Sequence, residues 1–125
     1  MKTYYKVCHK NRYGITSINY YDLFHNLTLL YNLNQWTLPK IPNSKLFCFR
    51  SLGDARNFVR RNGIDSYAIY ECVVKNPHSI KYIGSPHIYT KAINFWKHKD
   101  KKYEAPIGTI SASSIMLTKL IEEKL

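Results

Sequence analysis

Residues 46–75 constrain the fold more than any other part of the chain, because two apolar strand patterns flank one amphipathic helix pattern. The first strand pattern covers residues 46–50. The second covers residues 67–75 and is rich in aromatic and β-branched side chains, which favour strands. Both of its alternating sets of side chains are largely apolar, so we expect this strand at the centre of a sheet.

The helix pattern begins directly after the first strand. Ser51 is a suitable N-cap, and Asp54 places a negative charge in the first turn, where the helix dipole favours it. Gly63 provides a stop. The apolar side chains recur at helical spacing and predict a helix over residues 52–62 that packs on the sheet. These side chains are Leu52, Ala55, Phe58 and Val59, whereas Arg56, Asn57, Arg60 and Arg61 lie off that face.

Shorter patterns predict the remaining strands, which begin with an N-terminal hairpin. They cover residues 4–9, 15–21, 35–38, 79–83 and 109–120. Residues 22–34 leave two alternatives open, because their apolar residues have helical spacing while the stretch from residue 30 onward also suits an extended segment. Leu117, Leu120 and Ile121 also fit a terminal helix, but we prefer a strand whose end frays into a tail within residues 118–125.

The spacing of Ala92, Phe95 and Trp96 predicts a second helix.

The whole chain has 125 residues, of which 45% are apolar and 22% are charged, and this composition argues against a disordered polycation. We therefore predict a single compact α+β domain over residues 1–125. Its sheet should be antiparallel or mixed, with about five to seven strands and one or two packed helices.

The termini and cysteines indicate an intracellular protein with no membrane partner. No apolar stretch is long enough for a signal-peptide core, and no run of about 20 apolar residues occurs. Cys8, Cys48 and Cys72 are odd in number and lack C-x-x-C spacing. We expect buried free thiols at these positions, not disulfides, metal ligands or nucleophiles.

The charge is strongly positive and concentrated. The chain has 19 Lys and Arg against 8 Asp and Glu, which gives +11. Between Lys75 and Tyr103, seven lysines and one aspartate place +6 in a single segment. A surface of this sign favours anionic partners such as nucleic acids, nucleotides or acidic proteins.

The usual signatures of catalytic and metal sites are missing from the sequence. It contains no G-x-G-x-x-G, no G-x-x-x-x-G-K-[ST] and no G-x-S-x-G, which argues against dinucleotide, nucleoside-triphosphatase and hydrolase sites. No histidines or cysteines have metal-ligand spacing, so we predict no metal and no cofactor. The isolated histidines are His9, His25, His78, His87 and His98.

Glu71 is the one catalytic candidate. It projects from an otherwise apolar central strand, where a buried carboxylate needs a partner. A structural ion pair with Arg50 or Arg56 is the preferred interpretation. The alternative is a carboxylate at the base of a cleft that grips a ribose or acts as a general base.

Two basic regions are candidates for phosphate binding. In the first, the N–H groups of the helix that starts after Ser51 lie beside Arg50, and Arg56, Arg60 and Arg61 form a basic helical face. Simple capping is the alternative role of Ser51. In the second, lysines alternate with aromatic residues that can stack on bases. Its members are Lys91, Lys97, Lys99, Lys101 and Lys102, with Tyr82, Tyr89 and Tyr103 as stacking candidates.

Short motifs are spread over most of the chain. They are Tyr5-Lys6-Val7, Trp36-x-x-Pro39, Leu46-Phe47-Cys48-Phe49, Leu52-Gly53-Asp54-Ala55-Arg56-Asn57-Phe58, Tyr70-Glu71-Cys72 and Pro106-Ile107-Gly108-Thr109. Together they resemble small proteins encoded by phages and large viruses. The resemblance implies a viral origin, a place in the host cytoplasm or nucleus, and no assigned catalytic motif.

The charge pattern therefore predicts a small basic protein, not an enzyme, that binds a nucleic acid such as RNA or captures a nucleotide signal. The resemblance implies that the protein is viral and that such binding counters host defence. Two alternatives stay open. One is a nucleotide- or RNA-processing enzyme of nuclease or ribosyl-transferring type, and the other is an inhibitor that docks its basic surface on a host protein. A homo-oligomer is compatible with all three.

Overall fold

The computed structural model describes residues 2–12, 14–17, 29–39, 45–83 and 103–124. Within these ranges the chain forms one helix and eleven strands, nine of them in one sheet. The elements are β1 (Tyr4–Asn11), β2 (Gly14–Ser17), β3 (Leu30–Tyr31), β4 (Trp36–Thr37), β5 (Leu46–Phe49), α1 (Leu52–Arg61), β6 (Tyr67–Lys75), β7 (His78–Ser79), β8 (Tyr82–Ile83), β9 (Tyr103–Glu104), β10 (Thr109–Ala112) and β11 (Ser114–Lys124).

The fold is a single small α+β domain, as predicted, and every strand pairing in the described residues is antiparallel. The main sheet has more strands than the expected five to seven. The excess comes from two-residue strands, which are too short to produce an alternation pattern in the sequence. The second helix predicted around Ala92, Phe95 and Trp96 lies outside the described residues.

Strand β6 is central, as its two apolar faces predict. It pairs with β1 on one side, where Tyr4 lies opposite Cys72, and with β11 on the other, where Leu117 also lies opposite Cys72. The N-terminal hairpin is confirmed as well, because β1 pairs with β2 from Cys8–Ser17 to Asn11–Gly14.

The main sheet is strongly bent. Its strand order places β5, β1 and β6 between β10 and β11. Only Ser113 separates β10 from β11 along the chain, and its N–H donates to the Lys75 carbonyl oxygen at 2.9 Å. One residue spans so little distance that the sheet must bend sharply to bring the ends of these two strands together, which gives it an inner and an outer face.

The two faces of the sheet carry separate cores. On the outer face, α1 packs through Ala55 and Val59 on Val7, Phe49 and Ile69. The inner face holds the larger cluster. Its fully buried members include Tyr31, Tyr70, Ile115, Leu117 and the three cysteines Cys8, Cys48 and Cys72.

The C-terminal segment differs from the expectation of a frayed tail over residues 118–125. Strand β11 continues to Lys124, which lies opposite Tyr67 of β6. Register shifts follow Leu117 and Leu120, and these irregularities hide the alternation that would have predicted a strand. Backbone pairing with β6 therefore decides the structure of this polar segment.

Two other expectations changed in detail. The strand predicted over residues 79–83 is divided between β7, which pairs with β10, and β8, which pairs with β9. Of the ambiguous stretch from residue 22, the described part is extended, with β3 paired to β2.

No helix in the described ranges is both long and apolar enough to cross a membrane.

Candidate functional site

Helix α1 presents the first basic region as predicted. Ser51 is its N-cap, and its Oγ accepts a hydrogen bond from the Asp54 N–H at 3.1 Å. The apolar side of the helix is buried against the sheet, so the opposite side faces outward. The exposed side chains there are Arg56, Asn57, Arg60 and Arg61.

The predicted phosphate seat at the start of α1 already contains a carboxylate. Asp54 Oδ2 lies 3.8 Å from Arg50 Nη2, and the side chain of Asp54 is only 17% exposed. The Arg50 N–H donates to the Gly108 carbonyl oxygen at 2.8 Å, so the loop before β10 lies against the same helix end. Ser51 and Arg50 therefore have structural partners here, and capping accounts for Ser51.

Arg56 also has a structural partner. Its Nε donates to Glu122 Oε1 at 2.7 Å, and the Tyr67 hydroxyl donates to Glu122 Oε2 at 3.0 Å. This network joins α1 to β6 and β11. The hydrogen bond from Tyr67 to the Glu122 carboxylate raises the pKa of Tyr67.

Arg60 and Arg61 differ from the other two arginines, because no carboxylate in the described part of the chain pairs with either. The guanidinium of Arg60 donates to the side-chain oxygen of Asn57, a neutral group. Both arginines are exposed in the last turn of α1, where positive charge also complements the helix dipole. They are the cations of the first region that are best placed to meet an external anion.

Glu71 does not have the ion pair that was preferred for it. Arg50 pairs with Asp54, and Arg56 pairs with Glu122. The Glu71 side chain is half-buried on the outer face, where its strand neighbours are Tyr5 and Lys119. Glu71 therefore lies next to an exposed lysine, and we assign no catalytic role to it.

Most of the second basic region falls outside the described residues, including Lys91, Lys97, Lys99, Lys101, Lys102 and Tyr89. For Tyr82 and Tyr103 the structure describes the backbone alone. The ladder of β8 and β9 pairs Ile83 with Tyr103 and Tyr82 with Glu104. The two tyrosines therefore occupy neighbouring positions at the point where the intervening lysine-rich segment leaves the ladder and returns to it.

The two histidines that the structure describes lie on different strands. In the described ranges, His9 lies on β1 and His78 on β7, whereas His25, His87 and His98 lie outside them. Within those ranges no three His, Cys, Asp or Glu side chains are arranged to hold a metal ion.

The inner face of the sheet holds a polar cluster that the sequence analysis did not identify. Lys6 of β1 points inward, and its Nζ donates to the Phe47 carbonyl oxygen at 2.6 Å. The same Nζ lies 5.6 Å from the centroid of the Tyr31 ring. Tyr31 is 2% exposed, and its hydroxyl has no hydrogen-bond partner within the described part of the chain.

The three cysteines surround this lysine, and all three are buried free thiols, as predicted. Burial raises the pKa of Cys8 to about 12. A hydrogen bond from the Cys72 thiol lowers the pKa of Cys48, and Lys6 acts in the same direction against the effect of burial. The pKa of Cys72 is raised by its hydrogen bond to Cys48 and by burial.

Lys6 and Tyr31 affect each other through their charges. Burial disfavours the ammonium form of Lys6, but the nearby ionisable groups of Tyr31 and the cysteines outweigh it and raise the pKa of Lys6. Burial also raises the pKa of Tyr31, although the Lys6 ammonium opposes this. At neutral pH the cluster therefore combines a positively charged lysine with a protonated phenol.

One signal in the sequence could have located Lys6. Strand alternation places Lys6 on the same face as Tyr4 and Cys8, which are both core residues, so an inward lysine follows from the pattern. Tyr31 carries no such signal, because β3 has only two residues.

Comparisons with known proteins give no relative for this chain: no family model, no curated protein and no solved structure matches it.

Proposed function

We propose that this protein binds nucleic acid through the outward face of α1, with Arg60 and Arg61 as phosphate contacts. The proposal rests on which arginines around the helix have a carboxylate partner and which do not. Arg50 and Arg56 are partnered by carboxylates, whereas the side-chain partner of Arg60 is the neutral Asn57. An exposed guanidinium without a carboxylate partner can form bidentate hydrogen bonds to phosphate.

The shape of this surface favours an extended polyanion over a single nucleotide. Small ligands bind in concave sites that bury most of their surface. The arginines instead lie on the convex, exposed side of a helix. Nucleic acid binds to such surfaces because phosphate neutralisation releases condensed counterions, and this gain needs no enclosure.

The net charge supports the same partner. The lysine-rich segment between β8 and β9 adds Lys91, Lys97, Lys99, Lys101 and Lys102 against Asp100. Together with the arginines of α1 it gives the domain two basic regions, and Tyr82 and Tyr103 at the base of the second are candidates for base stacking. We also propose that the protein is viral. It would counter host defence by covering the nucleic acid of a host complex that is guided by that nucleic acid.

The direct test is fluorescence anisotropy with a labelled single-stranded RNA and with DNA of the same sequence. We expect binding to both, several-fold weaker for Arg61→Gln and weaker again for Arg60→Gln/Arg61→Gln. Lys2→Gln is the matched control, since it removes one charge at Lys2, whose Nζ lies 5.5 Å from the ring of the inward-facing Tyr4. Equal effects of Arg61→Gln and Lys2→Gln would exclude the helix face as the site.

The same experiment separates the alternatives. Competition by mononucleotides at micromolar concentration would indicate a nucleotide-binding protein in place of the proposed one. An RNA shortened after incubation would indicate a nuclease. If neither RNA nor DNA binds, a host protein with an acidic surface becomes the better candidate partner.

A further inference from the structure

The inner cluster brings the Lys6 ammonium close to the Tyr31 side chain. The ammonium of Lys6 has three N–H bonds, and the Phe47 carbonyl oxygen accepts one of them. The Tyr31 hydroxyl is buried and has no partner in the described residues. A buried polar group without a partner loses the hydrogen bonds that it makes to water, which costs about 1–3 kcal/mol.

The charge of Lys6 is also poorly compensated by the residues that the structure describes. No carboxylate lies in the inner core as described, and the buried polar residues found are Thr109, Ser111 and Ser114, which are neutral. The Tyr31 ring offers a cation–π contact at 5.6 Å, which is weaker than a full counter-charge. An ammonium in such surroundings requires an anion nearby.

The cluster is accessible in spite of its depth. Lys6 keeps part of its surface accessible, although Cys8, Cys48 and Tyr31 around it are at most 2% exposed. The groups beside Lys6 are therefore more deeply buried than Lys6 itself. The donors among them are the ammonium, the phenol and the thiols, and their chemistry selects for an acceptor.

We propose that the inner face of the sheet binds one small monovalent anion, chloride or a short carboxylate such as formate, between Lys6 Nζ and the Tyr31 hydroxyl. The anion supplies both the missing counter-charge and the missing acceptor. The proposal is limited to a small anion because Tyr31 and the three cysteines are at most 2% exposed. The site is independent of the arginine face of α1, so either proposal can fail without the other.

The test is thermal unfolding at constant ionic strength, with sodium chloride or sodium formate exchanged against sodium gluconate, whose anion is too large to enter. A ligand that binds only the folded state increases the folding equilibrium constant tenfold for each tenfold rise in concentration above its Kd. We expect this increase for the wild type with chloride and formate. Lys6→Met should abolish it, and Lys119→Met, which removes an exposed lysine of β11, should leave it unchanged.

Tyr31→Phe provides a second variant that keeps the shape of the core. It should weaken the anion dependence, because one of the two donors is lost while the ammonium stays. Saturation transfer from protein protons to the formate proton, measured by NMR, reports binding directly and should be strong for the wild type and weak for Lys6→Met. The same chloride dependence in wild type and Lys6→Met, with no saturation transfer, would overturn the proposal.

An internal counter-ion is the competing explanation. If Cys48 supplies the negative charge as a thiolate, the wild type will show thiolate absorbance near 240 nm at neutral pH that is lost in Cys48→Ala. That absorbance, together with stability that does not depend on the anion, also overturns the proposed site.

Discussion

The Asp54 carboxylate lies so close to Gly108 that a β-carbon added to this glycine would be 2.2 Å from Asp54 Oδ2. The φ angle of Gly108 is 83°, a region that residues with a β-carbon rarely adopt. The first turn of α1 and the loop before β10 therefore fit together only because residue 108 has no side chain. This contact fixes one end of the helix that carries the arginine face.

Gly108→Ala should lower the free energy of unfolding by about 2–4 kcal/mol, since the backbone strain and the clash with Asp54 add. Gly53→Ala is the matched control. Gly53 is exposed in α1, and the nearest atom to an added β-carbon there is 3.9 Å away. This control should stabilise the protein by up to about 1 kcal/mol, because alanine favours helix. Urea unfolding measures both, and equal effects would contradict the close packing.

Loss of the N-cap should have a smaller effect. Ser51→Ala removes the acceptor for the Asp54 N–H and should cost about 1 kcal/mol of stability. Ser51→Asp keeps an acceptor at this position and should retain most of the stability. If Ser51→Ala and Ser51→Asp have the same urea midpoint, the cap does not stabilise α1.

Stability should fall at alkaline pH because the raised pKa values of Cys8 and Cys72 outweigh the lowered pKa of Cys48. The pKa of Cys8 is raised to about 12 in the folded protein, whereas an unfolded thiol titrates at about 8.5. Between these values the unfolded state binds fewer protons than the folded state, so the free energy of unfolding decreases with pH. One such thiol contributes a slope of up to about 1.4 kcal/mol per pH unit.

The raised pKa values of Tyr31 and Lys6 act in the same direction above about pH 10. Urea unfolding from pH 7 to 11 should therefore show constant stability at first and a steep decline above about pH 9. Cys8→Ala should make the decline shallower, whatever its effect at pH 7. An unchanged slope in this variant would show that Cys8 ionises normally in the folded state.

The ion pair of Arg56 and Glu122 should matter little for stability. The two side chains are 55% and 28% exposed, and water screens such pairs. A double-mutant cycle with Arg56→Ala and Glu122→Ala should give a coupling energy below about 1 kcal/mol. A coupling of several kcal/mol would instead identify this pair as a main link between α1 and β11.

The sequence predicts those elements whose patterns are long and regular. The helix after Ser51 and the central position of β6 follow from apolar periodicity, and the burial of all three cysteines follows from their apolar surroundings. The sharp bend of the sheet at Ser113 does not follow, because a single residue between β10 and β11 makes the segment resemble one continuous strand in the sequence.

The candidate sites were predictable to a similar extent. Helical spacing identifies the exposed arginines, but the sequence does not indicate that Arg56 is paired with Glu122, 66 residues away. The cluster of Lys6 and Tyr31 depends on the contact between β1 and a two-residue strand, for which no local pattern exists. Tertiary pairing therefore decides which charges are available to a ligand.

The salt dependence of nucleic-acid binding tests the central claim most directly. On a single strand, each phosphate contact contributes about 0.7 to the magnitude of the slope of log K against log salt concentration. Loss of Arg60 and Arg61 together should reduce that magnitude by about 1.4, whereas Lys2→Gln should leave it unchanged. A slope that is the same for the wild type and Arg60→Gln/Arg61→Gln would contradict the assignment of these two arginines as phosphate contacts.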